Sequence, residues 1–296
     1  MTPTSPASGP ARPTDILVVS SQVVRGAVGT RIAGFALERL GFRVWLLPTV
    51  LLPWHPGQGP GTRHVPDDAT FAALVDDLIG SDGLSRVGAV LSGYLGSAGQ
   101  AGHVARLVAA VRAANPDALY VCDPVSGDRS GLYVPEATAA ALRDTLVPLA
   151  DVATPNLFEL TWMSGTEVTS EAEAIAAARR LGPARVLVTS APALRRNAVS
   201  NLLVTARASI AAEHGAIPNA PHGTGDLMSA LFTAHLVSGL DDEAALKRAA
   251  ASVFDLVARS VKQGAADLMI SGEQGTLLQP MALVSSRRVL DAPIRA

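Results

Sequence analysis

The feature that most constrains this chain is an alternation of two patterns. Short apolar runs, "ILVVS" (16–20), "RVWLL" (43–47), "VGAVLSG" (87–93), "ALYVCDP" (118–124), "DVATPN" (151–156) and "ARVLVTS" (184–190), are separated by stretches of helical periodicity. Ile32, Ala33, Ala36, Leu37 and Leu40 share one helical face, and further helices are predicted near 68–80, 100–114 and 171–181. Strands that are apolar throughout are buried on both sides, and a helix between successive strands lets them run parallel. The chain therefore reads as an α/β protein with a mainly parallel sheet covered by helices on both faces. A Pro/Gly-rich loop follows the second run to about residue 66, and "SNLLVTARASIAAEH" (200–214) breaks the pattern. It reads as two β runs in a tight connection, antiparallel strands at a sheet edge. Helices near 226–238 and 242–261 close the domain. No repeat or linker divides 15–296, so that span is read as one domain. Residues 1–14, rich in Pro, Ser and Thr without an apolar core, read as a disordered tail and not as a signal peptide.

Composition narrows the function classes. At 48% hydrophobic residues over 296 positions the chain can bury a large core, and with 4% aromatics its bulk is Ala, Val and Leu. A net charge of −2, with no basic block, argues against nucleic acid as a partner. No apolar segment approaches the roughly 20 residues that span a bilayer, so no membrane partner is expected. The single cysteine, Cys122, cannot form an internal disulfide and fits the reducing cytoplasm. Its place in "ALYVC" makes it a buried structural thiol.

"PHGTGDLMSALFTAH" (221–235) sets two glycines around a threonine, follows them with Asp226, and runs into a helix starting near that aspartate. A helix start carries unpaired N–H groups and partial positive charge, which suits an anion. Asp226 then sits beside that anion with a charge of the same sign. That suits a carboxylate taking a proton from a hydroxyl that attacks a phosphoryl group; an ordinary helix-capping aspartate is the plain alternative. The other polar residues of interest fall at the carboxyl ends of predicted strands, where ligands bind in such sheets. They are Ser21, Asp123, Asn156, Glu159, Thr189 and Ser190. In "ATPNLFEL" (153–160), Asn156 and Glu159 stand three apart on one face of a helix starting near Pro155. Asp123 and Glu159 offer the hard oxygen ligands that Mg²⁺ prefers, and a solvated or dipole-paired acid is the alternative for Glu159.

Several of these segments together resemble a known family. "LSGYLGSA" (91–98), "CDPVSGD" (122–128), "LYVPE" (132–136), "PLADVATPNLFEL" (148–160) and "PHGTGD" (221–226) are similar to segments of the pyridoxal kinases of the ribokinase-like superfamily, as "SSQVVRGAVGTR" (20–31) is to their first strand and loop. The match runs in order from about residue 16 to 261. It implies a ribokinase-like three-layer sandwich with a small antiparallel edge, ATP and Mg²⁺ as cofactors (with a monovalent cation such as K⁺), a small-molecule substrate and a homodimer. It implies Asp226 as the base for the 5′-hydroxymethyl group of a pyridine substrate, with the Gly223, Thr224 and Gly225 turn as the anion hole. Asp123 and Glu159 would hold Mg²⁺, directly or through water. Thr154, Asn156, Thr189 and Ser190 would contact nucleotide phosphates, with Asp128 and Tyr133 in a mobile segment near the triphosphate. Ser21 would bond the ring, Val28 and Tyr94 would pack on it, and His55 alone survives from the family's second-loop motif. His222, beside the glycine turn, is given no catalytic part because Asp226 fills the role of base.

The chain also departs from that pattern. Gln22 stands where the family commonly has His, Ala27 where it has an aromatic or His, Thr30 where it has Asn, and Pro56 where it has Thr. Gln22, Ala27 and Pro56 imply a roomier ring pocket with fewer hydrogen bonds. A kinase for another ring alcohol, such as a hydroxymethylpyrimidine, and a non-catalytic pyridoxal-phosphate or nucleotide binder stay open beside the pyridoxal reading. A nicotinamide dehydrogenase does not, because no G-x-G-x-x-G follows the first strand.

Overall fold

A computed structural model describes residues 14–290, so the tail expected over 1–14 lies, apart from Thr14, outside the described residues. The chain opens with β1 (Asp15–Val23), α1 (Gly29–Arg39) and β2 (Arg43–Leu52), then α2 (Asp68–Ile79), β3 (Val87–Ser92), α3 (Gln100–Ala114) and β4 (Leu119–Cys122). A hairpin of β5 (Gly127–Asp128) and β6 (Gly131–Leu132) and a short α4 (Glu136–Ala141) lead to β7 (Val152–Ala153), α5 (Leu157–Ser164) and α6 (Glu171–Arg180). Next come β8 (Arg185–Ala191), β9 (Ala198–Thr205) and β10 (Ser209–Gly215). The helices α7 (Thr224–Val237), α8 (Asp242–Lys262) and α9 (Gly275–Leu278) and a last strand, β11 (Ser285–Val289), complete the order.

One sheet carries nine strands in the order β11-β10-β9-β8-β7-β4-β3-β1-β2. Neighbours from β2 to β8 run parallel, and the pairs from β8 to β11 are antiparallel. The mainly parallel sheet with an antiparallel edge is thus as expected, except that β10 is not the edge. β11 pairs with it from Ser209↔Val289 to Glu213↔Ser285. Its sequence, "SSRRV", has no apolar run to signal a strand. It is held by charge instead, with Arg287 donating to buried Glu213 at 3.0 Å and pairing with Glu171. At the opposite edge lies β2, which tolerates Pro48 because an edge strand can lose one ladder donor.

Alternation along β1 divides the core between the two faces. Ile16 and Val18 pack with α1, α7 and α8, while Leu17 and Val19 pack with α2 and α3. Helix α7 has Leu227 through His235 all buried, so it is a central buried helix and not a surface one. That position brings its N-terminus to the carboxyl ends of β1, β3 and β4. Phe232 is fully buried on this helix. Phe232→Ala removes about 3–5 kcal/mol of stability, and a thermal melt should show Tm lower by on the order of 10 °C.

Candidate active site

A cavity of about 550 Å³ opens where the parallel strands end. Every residue assigned to the site from the sequence lines it: Ser21, Val28, His55, Tyr94, Asp123, Asp128, Tyr133, Thr154, Asn156, Glu159, Thr189, Ser190, Gly223, Thr224, Gly225 and Asp226. Leu52, Pro56, Gly57, Val125, Ser130 and His222 line it as well, and of these His222 had been set aside. No lysine or arginine is among the lining residues.

The glycine turn before α7 uses its two glycines differently. Gly223 caps the helix at φ +95°, and a Cβ there would run into the carbonyl oxygen of Ala27. Only glycine fits that backbone. A Cβ on Gly225 would meet no protein atom within 4 Å, so its backbone borders open cavity. The helix itself begins at Thr224, two residues before the expected start, and places Asp226 in its first turn. The Gly29 N–H at the start of α1 donates to the Asp226 carboxylate, which lowers its pKa, but burial prevails and pushes it up to about 6.

Facing this helix end are two more carboxyl groups. Burial, and then the charges of Glu159 and Asp226, push the Asp123 carboxyl well above the usual range. The Ser229 hydroxyl, 2.8 Å from that of Thr154, donates to Asp123 Oδ2 at 2.9 Å. Ser229 is a site residue that the motif reading missed; its one signal was its position a turn beyond Gly225. Glu159 accepts from the backbone N–H groups of Ser126 and Asn156, each at 2.9 Å, and its carboxyl is pushed to about 7 by burial against those bonds. Asn156 and Glu159 do not share a helix face as expected. Asn156 is the N-cap of α5, its side-chain oxygen accepting from Glu159 N–H while Glu159 reaches back to Asn156 N–H. The pair is a capping box, and Asn156 Nδ2 also donates to Gly127 O at 2.8 Å, fixing the β5–β6 hairpin. That hairpin carries Asp128, bonded to Ser130, and leads to half-exposed Tyr133.

At the ring end, Val28 packs in one apolar cluster with Val23, Val50 and Leu52, joined by Tyr94. Of Gln22, Ala27 and Pro56, from which a roomier ring pocket is expected, only Pro56 lines the cavity. Gln22 accepts from the Thr30 hydroxyl, and Ala27 is buried in the core. Gln22 and Thr30 are two departures that satisfy each other.

A second hollow of about 170 Å³ shares Thr189, Ser190, Thr224 and Gly225 with the first. Val199, Ile217, Met228, Val253, Phe254 and Val257 make it an apolar slot. The arrangement is a long cleft with an apolar slot at one side, a helix N-terminus and acids at the middle, and a half-apolar chamber beyond.

Sheet order, the buried helix and its glycine turn define the class: this is the fold of the ribokinase-like small-molecule kinases. The family described as phosphomethylpyrimidine kinase matches residues 81–271. A pyridoxal kinase of Corynebacterium diphtheriae is 36% identical over 90% of this chain and 96% of its own length. A pyridoxine/pyridoxal/pyridoxamine kinase of Bordetella bronchiseptica is 39% identical over 88% of this chain and 94% of its own. The structure of pyridoxal kinase from Leishmania donovani with ADP and pyridoxine superposes at a TM-score of 0.87 with 29% identity, covering 93% of this chain and 99% of that one. The chain belongs to the pyridoxal kinase family.

The two glycines give a paired test. Gly223→Ala should cost about 1–3 kcal/mol or more through strain at positive φ and the clash with Ala27. Gly225→Ala should leave Tm within about a degree of the wild type and still depress turnover. Equal loss of Tm in both variants would make Gly225 a purely structural residue.

Proposed function

We propose that this chain transfers the terminal phosphoryl group of ATP to the 5′-hydroxymethyl group of pyridoxal, with pyridoxine and pyridoxamine as further acceptors, giving pyridoxal 5′-phosphate in vitamin B6 salvage. The carrying observation is Asp226, a carboxylate that titrates near pH 6 and is held by Gly29 N–H beside the open backbone of Gly225. Family membership and the activities for which its relatives are named support the acceptor and the nucleotide.

In this reading Asp226 takes the proton of the acceptor hydroxyl as its oxygen bonds to the γ-phosphorus, and the bond to the bridging oxygen breaks to release ADP. The N–H groups of Gly223, Thr224 and Gly225 at the α7 start stabilise the charge on the transferred group. Thr154, Asn156, Thr189 and Ser190 bind phosphate oxygens, and the adenine takes the slot lined by Val199 and Phe254. Ser21 bonds the ring, which packs on Val28 and Tyr94 near His55. Mg²⁺ fits this donor set: Asp123 and Glu159 are buried acids crowded together, and the cavity lining has no lysine or arginine to offset phosphate charge. Bound there, directly or through water, the ion supplies neutralisation of the phosphate oxygens.

The unit of function is residues 15–296 as a homodimer in the cytoplasm. The buried lone Cys122 supports the compartment, and no helix among the described residues is long and apolar enough to cross a membrane. The β2 edge supports the dimer, since it leaves Leu46 and Leu51 nearly half exposed, with exposed Val24 bonded through its N–H to Leu52 O. Light scattering should give twice the chain mass, and Leu46→Asp with Leu51→Asp should halve it.

Activity tests the central claim. Turnover of a panel of pyridoxal, pyridoxine, pyridoxamine and hydroxymethylpyrimidine with Mg·ATP should favour the B6 forms; preference for the pyrimidine alcohol would replace this reading with that rival. Because the base must be ionised, kcat/KM should fall about tenfold per pH unit below about 6 and level off above it. Asp226→Asn should lower kcat by ~10²–10⁴-fold with KM for ATP little changed. Retention of a tenth of the wild-type kcat would remove Asp226 from the role of base.

A further inference from the structure

The loop after β2 folds back at the cavity as a tight turn, Pro56–Gln58. Its outer side is tied twice: Gln58 donates to Asp267 at 2.7 Å and accepts from Arg25 at 3.1 Å, and the Arg25 guanidinium lies 5.5 Å from the Trp54 ring centre. On the cavity side it is met by one ring from the α7 side. His55 and His222 stack with centroids 3.9 Å apart and planes inclined by 23°.

Two details give that stack a direction. Gly57 N–H donates to His55 Nδ1 at 3.0 Å, so the neutral ring carries its proton on Nε2, which has no protein acceptor among the described residues. Burial, and then His222, push His55 down to about 4, so near pH 7 it is the neutral tautomer that is present. Gly57, in turn, is a glycine because of the stack. A Cβ there would lie 2.8 Å from His222 Nε2 and 2.9 Å from His55 Nδ1, although φ at Gly57 is not in the left-handed region. The loop, the missing side chain at 57 and the residue before the anion turn therefore fit one another.

We propose that His222 is a positioning residue for the acceptor alcohol: its ring, stacked on His55, latches the 53–59 loop over the cavity and holds His55 Nε2–H as a donor to an oxygen substituent on the acceptor's ring. This inference rests on the kinase reading of the same site. It also joins the two halves of the site, since His55 comes from the ring-side loop and His222 lies four residues before Asp226. The acceptor is thereby oriented relative to the helix that carries the base.

The test compares His222→Ala, Gly57→Ala and His222→Phe with the wild type, using kinetics and tryptic cleavage after Arg63 in the same loop. A face-to-face ring contact is worth a factor of roughly three to ten. His222→Ala should raise KM for the acceptor by that factor, with kcat and KM for ATP within about twofold, and should speed cleavage after Arg63 similarly. Gly57→Ala, which wedges the rings apart, should do the same, and His222→Phe, which keeps a stacking ring, should restore both readouts. Unchanged KM and cleavage in His222→Ala, a loss confined to kcat, or a Phe variant no better than Ala would overturn the proposal. Should the wild type turn over none of the B6 acceptors, the kinase reading fails by itself, and the cleavage rates still decide for or against the latch.

Discussion

Three of the carboxyl groups lining one cavity, Asp123, Glu159 and Asp226, crowded with no lysine or arginine in that lining, set the terms for the rest of the structure. Asp123 follows β4, Glu159 sits in the first turn of α5, and Asp226 in the first turn of α7. Each is held by a donor: Ser229 for Asp123, backbone N–H groups of 126 and 156 for Glu159, and Gly29 N–H for Asp226. These bonds do not cancel burial, and all three carboxyls are shifted upward. An acid whose folded pKa is raised releases its proton later when folded than when unfolded, so stability falls as pH rises from the unfolded value through the folded one. For Glu159 and Asp226 that window runs from about 4 to about 6–7. The free protein thus loses stability in the range where, under the proposed function, Asp226 ionises to act as base, and a cation entering with the nucleotide would relieve the repulsion. In that reading the strain serves function and is carried by the large core around α7.

Much of the phosphate side was legible in the chain because it is written locally. A glycine turn before an apolar helix, and polar residues just past β runs, are short-range patterns, and the sheet order brings them together. All the residues so named line the cavity. What could not be read depends on partners distant in sequence. Ser229 matters because Thr154 and Asp123 meet it from 75 and 106 positions away. β11 is a strand because Arg287 finds Glu213 and Glu171. The hairpin 127–132 is too short for any periodicity. Asn156 was placed on the wrong side of a helix boundary, where a cap and a first-turn residue look alike until the hydrogen bonds are seen.

The ring side obeys a different rule, and there single-position reading fails for a physical reason. The phosphate side is built from backbone: strand ends in a parallel ladder and a helix N-terminus, whose geometry does not depend on one side chain. The ring side is built from segments held by side-chain pairs. Gln22 takes the Thr30 hydroxyl, Gln58 bridges Arg25 and Asp267, and His55 lies on His222 over a glycine at 57 that leaves them room. Such positions are read together: Gln22, in place of a histidine, is satisfied by Thr30, itself in place of an asparagine. Under the proposed function, the chemistry of transfer rests on backbone placement at the strand ends, and acceptor choice on matched side chains in segments that meet only in the folded chain.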